Sequence, residues 1–166
     1  MMRLRKATEH EVEIAMNIIN MAKTHLKEQG IDQWQNGYPD LSCIIRDIEN
    51  EKGYFVEDDG VILGYLCVDY DGEPAYDNLN GEWSSDEKYV VVHRMAFNDK
   101  ARGKGISNLV FTLVEDMSRE RGISYFRVDT DADNHKMQHI LNKNGFSYRG
   151  TIWFDNSEKI AFDKHI

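Results

Sequence analysis

The feature that most limits the fold is the order of hydrophobic periods over the second half of the chain. Tyr89 to Phe97 is a β-branched and aromatic run of strand character, followed by the polar stretch Asn98 to Lys104. Ile106, Leu109, Val110, Leu113, Val114 and Met117 then line one face of a predicted helix that ends near Gly122. Tyr125 to Asp129 reads as the next strand and Asn134 to Asn144 as a helix closed by Gly145. Phe146 to Phe154 and Lys159 to Phe162 form a last strand pair around the turn Asp155-Asn156-Ser157. Strands alternating with amphipathic helices bury both patterns only when the helices lie on a shared sheet, so the class is mixed α/β.

The first half extends that sheet. Leu4 begins a short strand, and Thr8 with Glu11 has the spacing of a capping box at the start of a helix. Val12, Ile14, Ala15, Ile18, Ile19 and Ala22 make an apolar stripe that runs towards Leu26 and stops at Gly30. Pro39-Asp40 introduces a second helix, with Leu41, Ile44, Ile45 and Ile48 on one face and Gly53 as its end. Tyr54 to Glu57 and Val61 to Tyr70 flank Asp58-Asp59-Gly60 as a hairpin, and the polar stretch Asp71 to Lys88 reads as a long loop. A chain of 166 residues without a linker or repeat is expected to be a single domain spanning 1–166.

Charge and cysteine usage narrow the partners. A formal net charge of -9 disfavours phosphate backbones and anionic lipid and favours approach of a cation, so neither nucleic acid nor membrane is an expected partner. Cys43 and Cys67 stand apart, without the pairing of a zinc site or a CxxC motif, and read as small buried hydrophobes. No metal is expected. The opening residues Met1 to Lys6 lack the apolar run of a signal peptide and no segment has bilayer-spanning length, so the expected location is the cytoplasm.

The segment richest in chemistry is Arg102-Gly103-Lys104-Gly105-Ile106-Ser107, which leaves a strand and opens a long helix. Backbone N–H groups at a helix start carry partial positive charge, and glycine lets a pyrophosphate approach the main chain. Arg102 and Lys104 add full charges. The spacing is neither that of a Walker A loop nor that of the GxGxxG dinucleotide turn. A structural strand-to-helix connection would use the same glycines.

The segment resembles the acetyl-CoA motif R/Q-x-x-G-x-G/A of the GNAT family, with Arg102, Gly105 and Ser107 at its defining places and Ser107 as a mild departure. Asp133-Asn134 opening a helix that closes at Lys143-Asn144-Gly145-Phe146 resembles the family's later motif. The likeness covers Tyr89 to Phe154 closely and the earlier elements in order alone. It implies the GNAT acyl-CoA N-acyltransferase fold: a twisted, mostly antiparallel sheet of six to seven strands flanked by four helices and splayed in the middle for acetyl-CoA. It further implies a donor site in which the main chain of Met95, Ala96 and Phe97 meets the pantetheine arm. Arg102, Gly103, Lys104, Gly105, Ile106 and Ser107 would hold the pyrophosphate, Asn134 would touch the pantetheine, and a homodimer is also plausible by this resemblance.

The expected function is acetyl transfer from acetyl-CoA to a primary amine, most simply a small cationic molecule, by direct attack in a ternary complex. The alternatives are a non-catalytic acyl-CoA-binding module or sensor, and an acetyltransferase of protein N-termini or lysines. The reaction needs a neutral amine, a stabilised oxyanion and a proton for the leaving thiolate. His93 is the candidate base, because a regular strand puts it on one face with Met95 and Phe97 and imidazole titrates near neutrality. Glu82 and Asp129 are the alternatives. The resemblance implies that a backbone N–H near Met95 or Phe97 holds the oxyanion. Many relatives carry Tyr four residues before the Gly-Phe pair, where this chain has Leu141, which leaves Tyr148 or water as proton donor, or departure of the thiolate itself. Trp34, Tyr38, Tyr76 and Trp83 lie in the least regular segments, either lining a pocket for the cation or pinning loops to the core.

Overall fold

A computed structural model describes residues 1–166, the side chain of Phe154 excepted. Its elements are β1 (Met2–Lys6), α1 (Val12–Glu28), α2 (Leu41–Glu49), β2 (Gly53–Asp58), β3 (Val61–Asp69), β4 (Asn80–Gly81) and β5 (Val90–Phe97). Then come α3 (Ile106–Glu120), β6 (Tyr125–Asp131), α4 (His135–Lys143), β7 (Ser147–Phe154) and β8 (Ser157–His165), with 3-10 turns at Glu9–Glu11 and Pro74–Asn78. The strands form one sheet in the order β1-β2-β3-β5-β6-β8-β7-β4. Pairing is antiparallel in β1–β2, β2–β3, β6–β8, β7–β8 and β4–β7, and parallel in β5–β6.

Local chemistry sets the element ends. The Glu11 carboxylate accepts from the Thr8 backbone N–H at 3.0 Å and completes the capping box ahead of α1. Asp40 accepts from the Cys43 N–H at 3.0 Å to cap α2, and Asn134 accepts from the Met137 N–H at 3.1 Å to cap α4. The first hairpin turns through Asp59 and Gly60 at φ 49° and 82°, and the last through Asp155 and Asn156 at φ 51° and 61°. Paired left-handed residues suit the right-handed twist of the flanking strands. Ser157 accordingly begins β8 and is not part of the turn.

Two expectations are corrected. The sheet has eight strands, because Asn80–Gly81 adds β4 to β7 within the segment read as loop. Gly81 and Gly150 face each other there, and a Cβ on Gly150 would stand 2.3 Å from the Asn80 carbonyl oxygen. No alternation of apolar residues announces such a contact, since it depends on two absent side chains. Gly53 does not end α2. It starts β2, where a Cβ would come within 2.9 Å of the Tyr65 hydroxyl.

The chain groups into two compact units, residues 1–68 with 92–113 and residues 69–91 with 114–166. In the first, Ala15, Ile18, Ile19 and Ala22 of α1 pack with Ile44 and Ile48 of α2 against Phe55 and Tyr65. Each fully buried isoleucine among them contributes about 1.5–3 kcal/mol. In the second, Tyr76, Val91, Ile152 and Ala161 form a smaller cluster against which Trp83 and Tyr89 pack.

Candidate active site

In the first unit, β5 departs from a regular strand. Its parallel register with β6 consists of Val90↔Phe126 and Val91↔Arg127, both within the second unit. Three residues further on, Arg94 takes a left-handed φ of 54°. Such a residue interrupts the pleat and re-aims the amides beside it. Regular alternation from His93 to Met95 and Phe97 is therefore broken at Arg94.

Arg94 is held there by a buried network that the sequence signals only as a charge inside an apolar strand. Its Nε and Nη2 donate to Asp47 of α2 at 2.8 and 2.6 Å, and its Nη1 donates to the Tyr38 hydroxyl at 2.8 Å. The Tyr65 hydroxyl donates to Asp47 at 2.9 Å. A two-pronged guanidinium–carboxylate pair fixes both partners in orientation as well as distance. Tyr38 thus ties the loop before α2 to β5, and half-buried Trp34 packs against the α1–α2 core.

His93 stands beside this network. Burial first, and then the Arg94 guanidinium, push its imidazole down to about 3. The ring is neutral at physiological pH, and a group that releases its proton near 3 is a weak acceptor from an ammonium. Its claim as base is reduced accordingly.

The strand leads into the glycine loop with its main chain closely constrained. A Cβ on Gly64 of β3 would lie 2.7 Å from the Ala96 carbonyl oxygen, so Gly64 permits the approach that positions β5 there. Arg102 donates to the Phe97 carbonyl at 3.0 Å and pairs with Asp99 at 2.6 Å. Its guanidinium braces the turn. Gly103 and Gly105 have φ 77° and 69°; a Cβ on the first would meet nothing within 4 Å, and on the second only Asn108 Nδ2 at 3.9 Å. These glycines are needed for backbone conformation, and the space beside them is open. Ile106 and Ser107 are the first residues of α3, and Lys104 is exposed just before it. Arg102 and Asp99 also wall a solvent-open pocket of about 480 Å³ with Asn20 and Thr24 of α1.

The second unit holds the remaining candidates. Asn134 caps α4, with its side-chain oxygen engaged by Met137. Leu141 is wholly buried, while Tyr148 is 57% exposed and packs edge-on to Phe162. Glu82 is exposed beside β4, its N–H donating to the Arg149 carbonyl. The aromatic pair is pinned. Tyr76 is buried, and the indole N–H of Trp83 donates to its carbonyl at 2.9 Å.

The cation above Trp83 is internal. The Arg127 guanidinium lies 4.2 Å from the Trp83 ring and 4.3 Å from the Tyr89 ring, and it donates to the Ser85 carbonyl. That ring face is committed to Arg127, so Trp83 serves the fold there. The Tyr76 hydroxyl donates to Asp129 at 2.7 Å. Burial, against the lowering effect of that bond, pushes the Asp129 carboxyl up to about 6.

One interrupted strand of an α/β sheet runs into a glycine turn at a helix start, a geometry suited to an anionic group. The Acetyltransferase (GNAT) family matches residues 19–146. A GNAT acetyltransferase from Streptococcus agalactiae is 33% identical and superposes with a TM-score of 0.88 over 99% of this chain and 95% of its own. A putative acetyltransferase from Staphylococcus aureus is 25% identical, with a TM-score of 0.72 over 98% and 97% of the two chains. The aminoglycoside acetyltransferase AAC(6')-Ib, in complex with ribostamycin and coenzyme A, shares the fold at 20% identity, with a TM-score of 0.70 over 99% and 93%. No curated protein matches this chain. The chain belongs to the GNAT acetyltransferase family and is an acetyltransferase.

Proposed function

We propose that the chain uses acetyl-CoA to acetylate a small cationic primary amine by direct attack in a ternary complex. The observation that carries this reading is the turn at Gly103 and Gly105, left-handed, open on its surface and continuous with the start of α3. Coenzyme A in the complex of the fold neighbour AAC(6')-Ib supports the same donor. The pyrophosphate would lie on the N–H groups from Gly103 to Ser107, with Lys104 adding charge. The pantetheine would follow the main chain of Met95, Ala96 and Phe97.

In such a site the amine lone pair forms the C–N bond to the thioester carbonyl carbon, the C–S bond breaks with its electrons on sulfur, and the nitrogen gives up one proton to a base or to water. A backbone N–H near Met95 or Phe97, re-aimed by the left-handed Arg94, would receive the oxyanion. Leu141 offers no proton and Tyr148 faces solvent, so the thiolate leaves as such or takes its proton from water. A net charge of -9 favours a cationic acceptor over an anionic one.

Calorimetric titration of acetyl-CoA into wild type, Gly105→Ala and Gly105→Glu tests the donor site. Micromolar binding by wild type, weakened in Gly105→Ala by backbone strain and abolished in Gly105→Glu by added negative charge, is the expected pattern. A folded wild type that binds no acetyl-CoA rejects the reading. Coenzyme A release measured across polyamines, amino acids, aminoglycosides and peptides with free N-termini then separates small-molecule from protein acceptors.

A further inference from the structure

The face of α2 that packs into the core carries a charge. Cys43, Ile44, Asp47 and Ile48 are the buried residues of this helix, and Asp47 is 6% exposed. Its Oδ2 accepts from Arg94 Nε and from the Tyr65 hydroxyl, and its Oδ1 accepts from Arg94 Nη2. Tyr65 is fully buried and edge-on to Phe55, and its hydroxyl fills the space that a Cβ on Gly53 would need. Asp47 is thus held by one buried group and in turn holds another.

Stability alone does not account for this pair. Withdrawing two charges from water offsets most of what their attraction returns, and apolar side chains of similar shape commonly serve a core as well. What an apolar contact cannot do is fix a torsion. A two-pronged guanidinium–carboxylate bond sets orientation, and the residue it holds is the one in β5 with a left-handed φ, 54°. A residue other than glycine persists in that conformation where its surroundings over-determine it. Two residues on, the Ala96 carbonyl lies against Gly64, so the main chain is fixed on both sides of Met95.

We infer that Asp47 is a positioning residue for acetyl transfer: through Arg94 it sets the direction of the Met95 N–H, the donor that meets the acetyl carbonyl oxygen. This inference rests on the acetyl-CoA reading and adds to it a residue of α2 that acts only through another. Tyr38, bonded to Arg94 Nη1, ties the loop ahead of α2 to the same guanidinium. A donor aimed in advance needs no rearrangement when negative charge develops on the oxygen, and that is where such a hydrogen bond gains most. Without the fork, Arg94 relaxes towards extended backbone, the peptide planes beside it rotate, and the N–H turns away.

The experiment is infrared difference spectroscopy of the thioester carbonyl, with carbonyl-labelled acetyl-CoA bound to the full chain in the absence of amine and calorimetry alongside. In wild type the stretch should fall below that of free acetyl-CoA, because an aimed donor polarises the carbonyl. Asp47→Leu combined with Arg94→Met removes both charges and leaves an apolar contact. This double variant should lose most of the shift while binding acetyl-CoA within about threefold of wild type. Arg94→Lys keeps the charge without the fork and should lose about half of the shift, which covers a double variant that fails to fold or to bind. A merely structural pair would move the thermal midpoint and leave the stretch of every folded variant at the wild-type frequency, and that result overturns the proposal. A wild-type carbonyl that binds at the free frequency overturns it too. Wild type that binds no acetyl-CoA overturns the donor reading instead.

Discussion

At the scale of single residues, Asp129 and His93 are displaced in opposite senses by the same physics, the cost of holding charge away from water. Asp129 is raised from its ordinary 3.8 to about 6, so the folded protein holds that proton more tightly than the unfolded chain does. Ionising it in the fold costs stability. The cost is absent below pH 4, grows between 4 and 6, and is complete above 6. Asp129→Asn keeps the size of the group and an acceptor for Tyr76. It should therefore raise stability at pH 7 by about 1–2 kcal/mol, after allowing for partial exposure, with the gain vanishing near pH 4. Urea titrations of both proteins at pH 7 and pH 4 check this, and an unchanged midpoint at pH 7 would mean that the carboxylate is not strained.

At the scale of elements, two pieces of β-structure depend on glycine for reasons of contact. Gly64 admits the Ala96 carbonyl beside β3, and Gly150 admits the backbone of β4 beside β7. Gly150→Ala would place a methyl against the Asn80 carbonyl and add strain at φ 152°. The expected loss is about 2–4 kcal/mol, read as a lower thermal midpoint, together with faster amide exchange at Asn80 and Gly81. Exchange at those amides equal to wild type would show that β4 contributes nothing to protection. β5 depends instead on charge. The Asp47 pair holds Arg94 in a left-handed conformation inside a strand, an arrangement that costs energy unless its surroundings fix it.

At the scale of the whole molecule, the chain passes between its two compact units within β5 and within α3 as well as after Val68. Continuous secondary structure across such boundaries opposes independent melting, and we propose that the units unfold together as one domain. Differential scanning calorimetry should give one transition whose calorimetric and van't Hoff enthalpies agree. Acetyl-CoA at about 100 times its dissociation constant should stabilise that transition by about 2.7 kcal/mol. Two separable transitions, with only one moved by acetyl-CoA, would make the units independent.

The sequence alone determined what is local. Thr8 with Glu11, Asp40 and Asn134 mark helix starts because capping is decided within one turn. Asp58-Asp59-Gly60 marks a hairpin because the turn needs left-handed residues, and the spacing of Ile18, Ile19 and Ala22 predicts a buried face. The glycine turn at 103–105 and the family were legible for the same reason, since motif and geometry lie in consecutive residues. Distant contacts were not. That Arg94 pairs with Asp47, that Arg127 fills the face of Trp83, that Gly81 meets Gly150 and that Tyr76 donates to Asp129 all join residues far apart in the chain. Each turns on desolvation or on a close approach, quantities that come into existence when the backbone closes around the residue. Tertiary structure therefore decided which polar groups lose water and which partners they keep.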